Sequence, residues 1–133
     1  MLNLKQIIIV AVGGAVGTLF RYKLGGFILH RTEGWQFPLS TFSINLLGCL
    51  IIGIVAALVE HHDLLSASSR LFLFTGLLGG FTTFSAFGYE AIFLVRRNLI
   101  GVSFLYVAMS VLCGLAAVWL GLKTVDVIWP PRH

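Results

Sequence analysis

Four long apolar stretches separated by short polar gaps leave this chain very few ways to fold. They run over about residues 7–29, 39–59, 69–95 and 99–122. Each matches the roughly 20 residues that an α-helix needs to cross the hydrocarbon core of a bilayer. Backbone amides and carbonyls in lipid must be satisfied inside the segment, so the spans are helices. Charged residues make up 11% of the chain against 58% hydrophobic, whereas a soluble domain carries about 25% charged residues. A water-facing surface cannot be built from so few charges. The predicted fold is all-α: an integral membrane protein of four transmembrane helices, in a single domain over residues 1–133.

The segment Met1-Leu2-Asn3-Leu4-Lys5-Gln6 leads directly into the first stretch. That stretch is too long for the apolar region of a signal peptide and lacks a clear small-residue cleavage site, so it is read as the first span. Between the spans lie His30 to Pro38, with Gly34 and Pro38 as breakers, and the run Glu60-His61-His62-Asp63. Connections this short predict that consecutive helices are antiparallel neighbours. Small residues recur at helical spacing, as Gly13 and Gly17, Gly76 and Gly80, Ser110 and Gly114, and Ala117 and Gly121. Such pairs let helix backbones approach closely in lipid. Cys49 and Cys113 sit within apolar segments and read as small packing residues, with neither a disulfide nor a metal site implied.

The formal charge of +4 does not point to nucleic acid, because the nine basic residues are scattered and no run exceeds Arg96-Arg97. Their distribution between the two ends carries more information. With four spans, Lys5, Arg70, Lys123 and Arg132 fall on one side, and Lys23, Arg31, Arg96 and Arg97 on the other. Four against four gives the positive-inside rule almost nothing to act on. A chain so balanced can insert in both orientations, and two copies can then pair antiparallel.

Ionisable residues within spans are costly and are functional candidates by default. Lys23 and Glu90 lie close enough to helix ends to snorkel and are read as interface anchors. Arg21 is deeper: its cation can draw an anion toward a water-filled vestibule, or bind loop carbonyls. The absence of a mid-span carboxylate argues against a proton-driven cation exporter. Uncharged polar residues instead suggest a track of hydrogen-bond donors. Thr41 and Asn45, four apart, share a face of the second span. The Asn45 amide offers two N–H donors, for a small hydrated anion or for an interhelical hydrogen bond. Tyr106 and Ser110 add two hydroxyls on one face of the fourth span.

The third span holds Gly79-Gly80-Phe81-Thr82-Thr83-Phe84-Ser85-Ala86-Phe87. Two glycines followed by paired threonines predict a break in the helix. The carbonyls it frees must face protein, water or an ion, and coordination of a hard cation is one solution. Beyond the break, Phe84 and Phe87 lie three apart on one face. An aromatic ring has a positive edge, so two rings presented edge-on can face an anion without carrying charge.

With these residues the chain resembles the Fluc, or CrcB, fluoride channels over essentially its whole length. The third-span sequence carries the resemblance, supported by Gly13-Gly14-Ala15-Val16-Gly17 before Arg21-Tyr22, and by Thr41-Phe42-Ser43-Ile44-Asn45-Leu46-Leu47-Gly48. The resemblance implies an antiparallel homodimer of dual-topology subunits in the cell inner (plasma) membrane, with two fluoride pathways built from both copies. It assigns Phe84 and Phe87 to the pore-lining pair, Asn45 to the pore asparagine, Tyr106 and Ser110 to polar positions beside the pathway, and Arg21 to the vestibule. Thr41 and Thr83 join the polar track. A structural sodium ion is expected at the dimer centre on the backbone carbonyls of Gly79 and Thr82. Ala86 stands where some relatives carry a hydroxyl; if that position contributes to the polar track, the track here is shorter.

Two other readings compete. A small four-helix multidrug exporter depends on a membrane-embedded carboxylate, normally in the first span, and this first span has none. A non-conducting assembly factor would need the small-residue seams but not the threonine–phenylalanine arrangement. An enzyme is not expected, since His30, His61, His62 and His133 fall in loops or the tail with no nucleophile partner.

Overall fold

The computed structural model describes residues 3–62 and 64–130. The expectations for Met1, Leu2, Asp63, Pro131, Arg132 and His133 lie outside these residues. Among the described residues there are four helical spans, each long and apolar enough to cross a membrane. Helix α1 is Leu4–Arg31 and α2 is Leu39–His62. The third span, Ala67–Arg96, comprises α3 (Ala67–Arg70), a π-helical run Leu71–Leu78, α4 (Gly79–Phe81) and α5 (Phe84–Arg96). The fourth is α6, Ile100–Ile128.

The helices outrun the apolar stretches because polar groups hold their ends. Asn3 caps α1, its side chain accepting from the Lys5 amide at 3.3 Å. Ser66 caps α3, its hydroxyl accepting from the Ser69 amide at 3.2 Å. α6 continues six residues past the predicted end at 122. There Lys123 pairs with Asp126 at 3.3 Å one turn on, and the Thr124 hydroxyl donates to the Leu120 carbonyl. Charges i and i+3 apart support a helix turn that hydropathy alone does not register.

Consecutive helices are neighbours, as the short connections predict, but the most extensive seams join alternate spans. α1 packs chiefly along the π-helical run and α4, and α2 chiefly along α6. The glycines explain the choice of partner. A Cβ on Gly13 would meet the Phe72 carbonyl at 2.8 Å and the Gly76 Cα at 3.0 Å, and one on Gly17 would overlap the Leu77 carbonyl. On the other seam, a Cβ on Gly53 would overlap the Val118 carbonyl, and one on Gly121 would meet the Ile54 amide at 2.9 Å. Residue numbers rise together along both seams, from 13 and 17 against 76 and 77, and from 53 and 54 against 118 and 121. Each seam therefore joins parallel helices. The small-residue spacing marked the faces of these seams, while loop length gave neighbours without saying which pack most closely.

The third span breaks where predicted. Thr82 (φ −85°, ψ 159°) and Thr83 (φ −149°, ψ 113°) are extended. The π-helical run just before the break ends with the Gly79 amide bonded back to the Phe74 and Gly76 carbonyls. Both threonines prefer this geometry because a β-branched side chain suits extended backbone.

Candidate functional site

Breaking a helix in lipid strands backbone groups, and this chain answers most of them with side chains. The Thr83 hydroxyl caps α5, accepting from the Ala86 amide at 3.2 Å. Asn45 of α2 clamps Thr83 from both sides: its Nδ2 donates to the Thr83 carbonyl at 3.0 Å, and its Oδ1 accepts from the Thr83 amide at 2.9 Å. Arg21 Nη1 donates to the Thr82 carbonyl at 3.3 Å, and Thr18 Oγ1 to the Gly80 carbonyl at 3.4 Å. Of the two readings open for Arg21, this is carbonyl binding. For Asn45 the interhelical bond is the reading observed, and it uses one amide N–H and leaves the other. The Gly79 carbonyl loses its helical donor, because the Thr83 amide is turned to Asn45.

Beside this junction lies a cavity of about 390 Å³ whose wall includes Asn45, Gly79, Thr83, Phe84, Phe87 and Ser110. Residues from α2, the broken third span and α6 thus converge on one space. The Ser110 hydroxyl is buried and, among the described residues, has no hydrogen-bond partner. An orphaned buried hydroxyl is costly, on the order of 1–3 kcal/mol. The rings of Phe84 and Phe87 are 5.6 Å apart at their centroids and tilted by 40°. Phe84 is 83% exposed, so its ring stands out from the protein surface beside the cavity.

Phe87 links this cavity to a second polar cluster. Its ring packs 5.3 Å from that of Tyr106, which is fully buried and also meets Phe37 edge-on at 5.4 Å. The Tyr106 hydroxyl donates to Glu90 Oε2 at 2.7 Å, and the Thr41 hydroxyl donates to Glu90 Oε1 at 2.7 Å. Thr41 and Tyr106 are thus brought together, but not side by side as free donors: a carboxyl group joins them.

Glu90 is the residue that the sequence reading misplaced. It is not an interface anchor. Its side chain turns inward, where two hydroxyls hold it, one helix turn from Phe87 on the same side of α5. The signal was available: a carboxylate three residues beyond Phe87 shares its face, and an acidic residue in a span is functional by default. Nearness to a helix end outweighed both. With Glu90 embedded, the exclusion of an exporter can no longer rest on the lack of an interior carboxylate, and comparison with known proteins has to decide it.

That comparison is direct. The family described as CrcB-like protein, Camphor Resistance (CrcB), matches residues 8–122. A fluoride-specific ion channel FluC of Methylobacillus flagellatus is 46% identical over 120 residues, covering 90% of this chain and 94% of that one. Proteins of the same name from Flavobacterium psychrophilum and Agrobacterium fabrum are 42% and 43% identical, covering 90% and 88% of this chain and 95% and 93% of theirs.

Proposed function

The chain belongs to the CrcB family of multi-pass membrane proteins, and from that membership we propose that it is a fluoride-selective channel through which the anion leaves the cytoplasm passively. The observation that carries this reading is the buried, unpartnered Ser110 hydroxyl in a cavity walled by Asn45 and the Phe84–Phe87 pair. Fluoride is small and holds its water tightly, so it must be offered donors when it sheds that water. The Ser110 hydroxyl and the second N–H of Asn45 supply them, and the two ring edges add positive potential without a fixed charge that would trap the ion. From the cavity the path runs along the Phe87–Tyr106 contact to the Thr41–Glu90–Tyr106 cluster. Passive flow serves a cell in acid surroundings. HF enters by diffusion and dissociates inside, and the anion leaves down its gradient.

The working unit is an antiparallel homodimer of dual-topology subunits in the inner membrane, each copy completing the other's pathway. Two features support this: the balanced charge between the two ends, and the exposed Phe84 ring at the rim of the cavity, which a second copy would close. A structural sodium ion fits the centre of such a pair. The Gly79 carbonyl has given up its helical donor. The Thr82 carbonyl is shared with Arg21 but has a second lone pair. These two oxygens from each copy would hold the ion, which supplies positive charge to bind the two broken helices together. It is a staple and not a cargo.

The test is fluoride efflux from liposomes carrying the purified protein, followed with a fluoride electrode beside a parallel chloride measurement. Fast efflux of fluoride with chloride at background is the expected result. A folded protein that passes neither ion overturns the reading in favour of an assembly factor. Replacing Ser110 by alanine separates a pore hydroxyl from a packing one. A hydrogen bond to a charged group contributes about 1.5–3 kcal/mol, so Ser110→Ala should slow fluoride efflux roughly tenfold or more. The same change removes an orphaned polar atom, so thermal stability should hold or rise. A fall in stability with unchanged flux would assign Ser110 to packing.

A further inference from the structure

Beyond Glu90 the protein contains a second polar space that nothing above has used. It is a chamber of about 550 Å³ at the end where α1 meets α2 and α5 meets α6, and its lining includes Gln36, Ser40, Glu90, Phe93 and Arg97. Glu90 is the common wall: one side of its carboxyl group belongs to the Thr41–Tyr106 cluster, and the residue also floors this chamber. Phe87, Glu90, Leu94 and Arg97 follow one another along one side of α5 at helical spacing. Glu90 and Arg97 are about 10 Å apart along the axis. The two cavities are therefore arranged in series along one helix, with the Glu90 cluster between them.

The Arg97 backbone is fixed in place. Its amide closes the end of α5 on the Phe93 and Leu94 carbonyls. The next residue, Asn98, turns the chain with a left-handed φ of 60°, a conformation that asparagine tolerates better than most residues. The guanidinium lies 5.7 Å from the centre of the Phe93 ring, and among the described residues it forms no ion pair. Arg21, by contrast, is tied to the Thr82 carbonyl. An anion approaching from the Arg97 end meets the C-terminal carbonyls of α5 and the Glu90 carboxyl group, both of which repel it. Arg97 is the charge in the chamber wall that offsets them.

Building on the channel reading, we infer that this chamber is the second mouth of the fluoride pathway, and that Arg97 is the residue that concentrates the hydrated anion in it. The bland alternative is that Arg97 only complements the α5 dipole, in which case it affects stability and not flux.

The two are separated by fluoride efflux from liposomes at low and high ionic strength, with potassium gluconate as the inert salt and valinomycin carrying the countercharge. A charge acting through water across a few ångströms in a cleft changes local anion concentration about fivefold. Arg97→Gln should slow efflux by about that factor in ~20 mM salt, Arg97→Glu by more, and Arg97→Lys little. In ~0.5 M salt, where the screening length falls to a few ångströms, the deficits should shrink to within about twofold. Wild-type flux from Arg97→Glu at low salt overturns the inference. So does a deficit that is the same at both salts, which identifies a structural role. If the unsubstituted protein passes no fluoride, the channel reading itself falls and this inference with it. That outcome is recognised in the control alone, since failure of the inference leaves the control conducting.

Discussion

Liposomes carrying the Phe84→Ile, Phe87→Ile double variant are expected to pass fluoride at least about thirtyfold more slowly than the unsubstituted channel, taking each lost ring–ion interaction as roughly 1–2 kcal/mol by analogy with cation–π contacts. Isoleucine keeps the apolar bulk and removes the positive edge. The loss is therefore specific to the electrostatics of the ring and does not reflect a blocked or widened path. The single variants should separate in stability even though both lose flux. Phe84 is 83% exposed on the single subunit, so Phe84→Ile should cost the subunit's own fold little, and any loss should appear as weaker pairing of the two copies in detergent. Phe87 packs on the buried Tyr106, so Phe87→Ile should also lose about 1–2 kcal/mol of stability from the altered packing. Undiminished fluoride efflux from either single variant would remove that ring from the pathway while leaving the channel in place.

The difference between those two phenylalanines marks how far the sequence could be read. Their spacing puts both on one face of a helix, and the Gly79-Gly80 and Thr82-Thr83 pairs announce the break that precedes them. Local chemistry determines these features, and local chemistry is legible. Which ring packs inside the subunit and which stands bare depends on where α6 delivers Tyr106, and that is tertiary. The same holds for Asn45. Its type and span marked it, but only the folded chain shows its amide divided between the Thr83 backbone and the cavity. Glu90 was misread for a related reason. A carboxylate six residues from a helix end can reach water or turn inward, and the choice is made by Thr41 and Tyr106, which are distant in sequence. The short connections gave the neighbours but not the closest ones. They constrain which helices are near each other, but the depth of packing in lipid is set by where backbones can touch.

That last point gives the most exacting test of the fold, because one substitution should change sign along one helix. Gly17 and Gly26 both lie in α1. A Cβ at Gly17 would overlap the Leu77 carbonyl oxygen and approach the Phe81 amide at 2.9 Å. These are backbone atoms of the π-helical run and α4, so no side chain can swing away, and the helices must part. Parting them pulls on the Thr18–Gly80 and Arg21–Thr82 hydrogen bonds and so on the break itself. In lipid no hydrophobic effect draws helices together, and close van der Waals contact carries much of the association. Gly17→Ala is therefore expected to destabilise by at least about 1–3 kcal/mol, the usual range for an overfilled interior, and to lose fluoride efflux with it. A Cβ at Gly26 meets nothing within 4 Å. Alanine is the better helix former by roughly 0.5–1 kcal/mol, so Gly26→Ala should hold or raise the unfolding temperature and leave efflux unchanged. Thermal unfolding of the two variants in the same detergent decides the matter. If Gly17→Ala is as stable as Gly26→Ala, then α1 and the third span are not in backbone contact, and the seam that sets the position of the broken helix is wrongly drawn.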